Sequence, residues 1–588
     1  MRDQCLPVTV PPLARRDAQV ALTLILAVLA AAPCAAGAQP PRAARVARGS
    51  IPITASAALP APTAPFTRAE RTQYGETSTY GDVRAFLASL ASQGAPFVLD
   101  TVSRTTEGRL LPLVIASKPL VRTPAEARRL GRPVVLVQAN IHAGEVEGKE
   151  AMLSLLRDLS RARGKSLLDS IVLLVIPIYN ADGNEKLASQ STQRTEQNGP
   201  ELVGQRPNAM GLDLNRDYVK AEAPETRGAL AVFNAWDPDL FMDLHTTDGS
   251  FHGYQLTYAP SLHPAAMAMP WVRDTLLPAV RARMQQRHNV PVFDYGNFSA
   301  DVRENVADTV KSGWFTYDHR QRFGTNYYGL RGRLSVLSEA YSHDPFEVRI
   351  RATYLFVQEV LQFVAERPAK IRALVKAADA AGGWPVARAL PLRAAITKHP
   401  LMLPVLHEQL VRDSSVERTQ PGVPKGFRRT GRYLAQAMPV HDRFDATDSV
   451  RLGAGWILDS TMAPAVERLR MHGVRVERLA APAPALVASW MVDSLIVASR
   501  PFQGHREVRV VAHLAPRAGQ ASPVELPAGS FVVTRAQPLG ALAALLLEPG
   551  SDDSFATWNA FDSMLAAGAP YPVWRLLAPL ATPRAGAR

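Results

Sequence analysis

His142-Ala143-Gly144-Glu145 stands directly after the apolar run Val134 to Ile141 and directly before a helical pattern. An imidazole and a carboxylate three positions apart at a strand-to-helix turn can both reach one cation, and a nitrogen-plus-oxygen set suits zinc. Two ligands do not complete a site, and an isolated His-x-x-Glu also occurs as a surface pair. A third candidate comes from Asp243-Leu244-His245, where His245 ends another apolar run and emerges over the sheet edge. His252 and His263 follow nearby, but they fall in a Gly- and Pro-containing loop and are set aside. Three protein ligands leave a fourth zinc position open, the pattern of catalytic rather than structural zinc.

These residues need a scaffold that brings strand ends together. Val134 to Ile141, Ile171 to Tyr179, Leu240 to His245 and Leu334 to Leu337 are short runs rich in Val, Ile and Leu. Helical patterns separate them, among them Tyr80 to Ser92, Gly148 to Arg161 and Glu347 to Ala365. Strands buried on both faces and alternating with helices predict an α/β fold, with a mixed, mostly parallel sheet and helices on both faces. Ligands of such sheets collect at the carboxyl ends of strands, and His142, Asn180, His245 and Glu339 all stand at such ends.

The 588 residues exceed what one core needs, so more than one domain is expected. The first 38 read as an export signal: Arg15 and Arg16, an apolar run from Val20 to Ala32, then small residues ending at Ala38. Residues 39–65 form an Ala/Pro-rich flexible leader, 66–380 the catalytic domain and 381–430 a connector. Residues 431–588 form an accessory α/β domain, with strands at Ser494 to Ala498 and Val508 to Ala512 and a helix at Leu539 to Leu547. Cys5 and Cys34 are the two cysteines and both lie in the signal, so disulfides and thiolate ligands are excluded from the mature chain. A net charge of +13 comes from scattered Arg rather than a basic tract, which excludes nucleic acid as the expected partner. No apolar stretch is long enough for stable membrane insertion. The expected location is periplasmic or extracellular.

Taken in order, Glu107-Gly108-Arg109, His142 to Glu145, Asn180-Ala181-Asp182-Gly183, Gly211 to Arg216, Asp243-Leu244-His245 and a strand-borne Glu339 resemble the zinc carboxypeptidase family. The resemblance runs for about three hundred residues, from near Arg68 to near Arg349, and suggests an exported bacterial member. It implies one zinc ion per chain held by His142, Glu145 and His245, and peptide substrates. Glu339 would be the general base for the attacking water, later returning the proton to the leaving amine. Asn215 and Arg216 would grip the substrate's terminal carboxylate, a task suited to the planar guanidinium. Arg206, or alternatively Arg194, would stabilise the developing oxyanion. Arg109 joins the substrate-binding set. A tyrosine would close over substrate, with Tyr317 preferred to Tyr327 and Tyr328. The same metal and base would also serve an amidohydrolase of cell-wall γ-glutamyl peptides or N-acyl amino acids. An inactive binding protein on this fold would show a lost ligand or a lost glutamate, and neither is lost.

Overall fold

Runs of Val, Ile and Leu become strands wherever both faces can be covered, and here they build one large sheet. In this computed structural model, residues 62–580 are described, apart from 248, 299–311, 383, 415–422, 424–425 and 517–522. The expected export signal and nearly all of the leader lie outside the described residues. The central sheet has eight strands: β1 Phe97–Arg104, β2 Leu110–Ala116, β3 Val134–Ala139, β4 Val172–Ile176, β5 Leu240–Thr246, β6 Leu256–Pro260, β7 Val292–Asp294 and β8 Leu334–Ala340. Their order is β1-β2-β4-β3-β5-β8-β6-β7. The centre, β4-β3-β5-β8, is parallel. β1 and β2 join one side antiparallel, and β6 joins the other side antiparallel. Every residue of β3, β4, β5 and β8 is buried, which is why these segments lack polar alternation.

Helices cover both faces. α1 Tyr80–Ser92 starts in a capping box of Thr79 and Asp82. It is followed by α2 Glu147–Arg161, α3 Pro224–Trp236, α4 Leu277–His288, α5 Gly324–Leu330, α6 Phe346–Ala365 and α7 Pro368–Ala381. Phe241 of β5 lies 4.2 Å from Tyr328 of α5, which stacks at 4.1 Å on Phe233 of α3. Leu244 points to the opposite face and meets α2 at Gly148, where an added Cβ would come within 2.9 Å of the Leu244 Cβ. The glycine lets α2, which starts just after Glu145, lie close against the strand that carries His245.

The stretch 381–430, expected as a connector, contains long extended segments. β9 Leu390–Thr397 pairs with β12 Arg443–Val450, and β10 Leu403–Arg412 pairs with β11 Phe427–Met438. A second sheet follows, antiparallel throughout: β13 Gly455–Leu458, β14 Glu477–Arg478, β15 Val487–Val497, β16 Val508–Pro516, β17 Phe531–Thr534 and β18 Pro570–Leu576, in the order β14-β17-β13-β18-β15-β16. It carries α8 Ala463–Met471 and α9 Gly540–Leu547. All eight residues of α9 are buried, as an apolar helix with no polar face requires. Among the described residues no helix is long and apolar enough to cross a membrane.

The end of α7 touches the start of α9 at Gly382, whose carbonyl accepts the Ala541 N–H at 2.8 Å. A Cβ on Gly382 would overlap the Pro538 carbonyl. Gly382→Ala is therefore expected to destabilise the protein by about 1–3 kcal/mol, the usual scale of overpacking. Denaturant unfolding with an unchanged midpoint would contradict this contact.

Candidate metal centre

The turn after β3 is built to present His142 and Glu145 together. Asn140 takes a left-handed conformation (φ +63°) and donates from Nδ2 to the carbonyls of Ala143 (3.3 Å) and Glu145 (3.2 Å). The Glu145 N–H donates to the His142 carbonyl at 3.0 Å, closing the turn. Gly144 sits where a side chain would meet Arg194 and the Gly204 carbonyl, so the turn is enclosed by the loop that follows α2 and β4.

His142, Glu145 and His245 are buried, and one ligand atom from each lies within 4.8 Å of the others. Both imidazoles turn the same nitrogen inward: His142 Nδ1 is 2.9 Å from Glu145 Oε1, and His245 Nδ1 is 2.9 Å from Glu145 Oε2. Their outer nitrogens face carboxylates. His142 Nε2 lies 3.1 Å from Asp213 Oδ1, and His245 Nε2 lies 3.1 Å from Asp243 Oδ2. A carboxylate behind each imidazole fixes its orientation and strengthens it as a ligand, the arrangement typical of zinc sites. The three side chains thus fit zinc by donor type, convergence and support. Among the described residues no other group of His, Cys, Asp or Glu gathers in this way.

The electrostatics keep the carboxylates ionised. Burial alone would push Glu145 up, but His142 and then Arg194 beside it hold its carboxyl well below the usual range. Burial likewise opposes ionisation of Asp213, while His142, Arg206 and Arg216 hold it far below the carboxylate norm. Burial works against a charged His245, yet Asp243 and then Glu145 raise it well above an ordinary imidazole.

Glu339 lies in β8 in register with His245 of the neighbouring parallel strand, so both side chains leave the sheet on the same face. Arg331 and Arg333, which lie just before its strand, bond to other groups. Arg331 bonds Asn234 and the His472 carbonyl, and Arg333 bonds Asp237 and Asp379. The 3-10 turn Leu214–Arg216 places the other candidates. Asn215 donates its backbone N–H to Asp213 Oδ1 (2.9 Å), and its Nδ2 lies 3.5 Å from His245 Nε2. Arg216 is half-buried, 4.0 Å from Asp213 Oδ2, with its guanidinium 4.0 Å from the Phe323 ring centre. Asp217 does not pair with it. Instead, Asp217 accepts the N–H groups of Glu222 and Ala223 and stands 3.5 Å from Lys220.

The two arginines weighed for the oxyanion differ in setting. Arg194 is buried and donates to Glu145 Oε1 (3.2 Å) and to the carbonyls of Thr246 (3.1 Å) and Thr247 (3.0 Å). The Arg206 side chain is 39% exposed; it bonds Asp213 Oδ2 at 2.9 Å and reaches to 3.6 Å from Glu145 Oε1. Arg109 gives its guanidinium to Glu107 (2.6 Å) and Asp182 (2.7 Å), beneath the Asn180 turn, and no contact joins it to the three ligands. Tyr317 is half-buried, its hydroxyl donating to Asn326 Oδ1 at 3.4 Å, with Glu339 close enough to act electrostatically on it. Tyr327 and Tyr328 are fully buried, Tyr327 against His472 and Tyr328 in the aromatic stack on β5. His252 packs 4.2 Å from Tyr341 and His263 caps the Ala265 N–H, both outside the ligand group.

Sequence reasoning passed over Asn140, Asp213 and Asp243 as supports. Asp243 was open to discovery, because residues two apart on a strand share a face. Asp213 meets His142 across 71 residues of chain, and nothing local announces that contact.

Residues 83–329 match the family model described as zinc carboxypeptidase, a span that contains all three ligands and stops short of Glu339. A protein named Carboxypeptidase 2 from Trichophyton equinum is 23% identical over 489 residues, covering 80% of this chain and 81% of that protein. A probable carboxypeptidase 2 from Trichophyton verrucosum is 30% identical over 146 residues, about a quarter of each chain. These relatives are fungal, so they do not point to the bacterial branch suggested by the sequence. Among solved structures, a metallo-carboxypeptidase from Burkholderia cenocepacia aligns with 49% of this chain and 70% of that one, at 16% identity and a TM-score of 0.36. The family match spans both segments that form the buried trio of His142, Glu145 and His245, and the region around this centre is similar to a zinc carboxypeptidase.

Proposed function

We propose that this chain is an exported zinc metallocarboxypeptidase that removes the C-terminal residue of peptides. The observation that carries the reading is the Leu214–Arg216 turn. The Asp213 carboxylate that supports His142 also accepts the Asn215 N–H and stands beside the Arg216 guanidinium. A group suited to a terminal carboxylate is thereby built onto the support of a metal ligand. Similarity to proteins named carboxypeptidase over four-fifths of the chain favours the same activity.

His142, Glu145 and His245 would hold zinc, which would supply a Lewis acid able to lower the pKa of a water to about 7. Glu339 takes the proton of the attacking water and passes it to the departing amine. Arg206, half-exposed beside Glu145, faces the charge that grows on the carbonyl oxygen. Arg194 spends its donors on Glu145 and the strand-end carbonyls and so holds the site's frame. Asn215 and Arg216 fix the terminal carboxylate, with the Phe323 ring laid over the guanidinium. Tyr317 closes the substrate side.

Amidating a good peptide substrate is expected to lower kcat/KM about ten- to hundredfold, because a charge-assisted hydrogen bond is worth about 1.5–3 kcal/mol. Arg216→Ala should reproduce most of that loss on the free acid and add little on the amide, since both changes remove one interaction. Equal cleavage of acid and amide by wild type, or full additivity of the two losses, would exclude the carboxylate grip. Either outcome would favour an amidohydrolase on this scaffold.

A further inference from the structure

One turn of the C-terminal region reaches the support of the metal centre. Residues 498–507 connect β15 to β16, and within them Phe502 and His505 exchange backbone hydrogen bonds of 2.7 and 3.0 Å. Gln503 (φ +52°) and Gly504 (φ +78°) are both left-handed, the conformation of a tight hairpin-type turn, and Gln503 stands at its tip. Its Oε1 accepts the backbone N–H of Asp213 at 2.7 Å. Asp213 opens the Leu214–Arg216 turn, so its N–H has no partner within that turn, and the Gln503 side chain satisfies it.

The same turn is docked at two further points. His505 Nε2 lies 3.0 Å from Glu222 Oε1, and its Nδ1 lies 3.0 Å from Asn559 Oδ1. Glu507 accepts from Arg322 at 2.6 Å, and Asp553 holds the same guanidinium at 2.9 Å. Arg322 directly precedes Phe323, the ring over Arg216. Both sides of Arg216 are therefore braced from the C-terminal region, one through Asp213 and the other through Arg322.

We propose that the Phe502–Glu507 turn is a wall of the active site and that Gln503 is a positioning residue. By fixing the Asp213 backbone, Gln503 sets the carboxylate that orients His142 and stands beside Arg216. The substrate half of this inference rests on the carboxypeptidase reading; the metal half does not.

The test uses the full chain, with zinc affinity read by competition against a chromophoric chelator and with KM and kcat read on a free-acid peptide. Gln503→Met keeps the length and removes the acceptor, while Gln503→Glu restores an acceptor oxygen. Gln503→Met is expected to weaken zinc binding roughly five- to tenfold, at or just below the usual range for an outer partner of a ligand. KM should rise about as much, with kcat nearly unchanged, as for loss of uniform binding. Gln503→Glu should recover most of both, and Gln503→Met should add little in an Asp213→Asn background. Wild-type zinc affinity and KM in Gln503→Met would overturn the proposal. So would a loss that Gln503→Glu fails to recover, since packing of the turn and not this hydrogen bond would then matter. The chelator competition needs no turnover, so a wild type inactive on peptides would sink the carboxypeptidase reading while the zinc measurement still decides the role of Gln503.

Discussion

His245→Ala protein is expected to lose zinc, whereas wild type should hold one ion per chain. His245 is a ligand candidate rather than a support, so its removal should weaken zinc by more than the roughly 10–100-fold typical of outer partners. Glu145 would lose the imidazole that faces its Oε2 at 2.9 Å, and Asp243 would be left buried behind a cavity. Turnover should fall to that of the metal-stripped wild type. The measurement is elemental analysis after exhaustive dialysis, with His142→Ala as a parallel case. Stoichiometric zinc persisting in either variant would refute the assignment of the three ligands.

Glu339→Gln should behave in the opposite way, keeping its metal and losing its chemistry. Glu339 is outside the ligand trio and the substitution preserves shape in a fully buried strand, so folding and zinc content should be close to wild type. Removing a general base costs about a hundredfold or more in turnover. The expected result is therefore a stable, zinc-loaded protein whose kcat is lower by at least about that factor. Activity within a fewfold of wild type, with zinc present, would require another carboxylate for the proton.

The sheet was legible because its strands are apolar on both faces. β3, β4, β5 and β8 all sit where Val, Ile and Leu runs had placed them, and α1 spans Tyr80–Ser92 as its periodicity required. The convergence of His142, Glu145 and His245 was legible for the same reason, since strand ends in a parallel layer converge. What escaped was contact between segments remote in sequence. The pairing of Asp213 with His142, the reach of Gln503 to Asp213 and the bracing of Arg322 by Asp553 each depend on tertiary approach across 71 or more residues. The extended ribbons of 390–450 also escaped: β11 and β12 are mixed in polarity and bury one residue between them, Met438, which leaves no clear two-residue alternation to read.

The position of β18 sets an order of events during synthesis. Among the described residues it is the last strand of the chain, yet it lies inside the second sheet, between β13 and β15. β15 and β16 carry the turn that holds Gln503, so the sheet beneath that turn stays open until Leu576 has been made. His142, Glu145 and His245 leave the ribosome far earlier, and at roughly 5–20 residues per second the interval from His245 to Leu576 is on the order of half a minute. A nascent chain would thus carry His142, Glu145 and His245 for that time without the turn that contacts Asp213 and Arg322. Chains ending before β18 should resemble that unfinished state, with the ligands present but the substrate side unbraced.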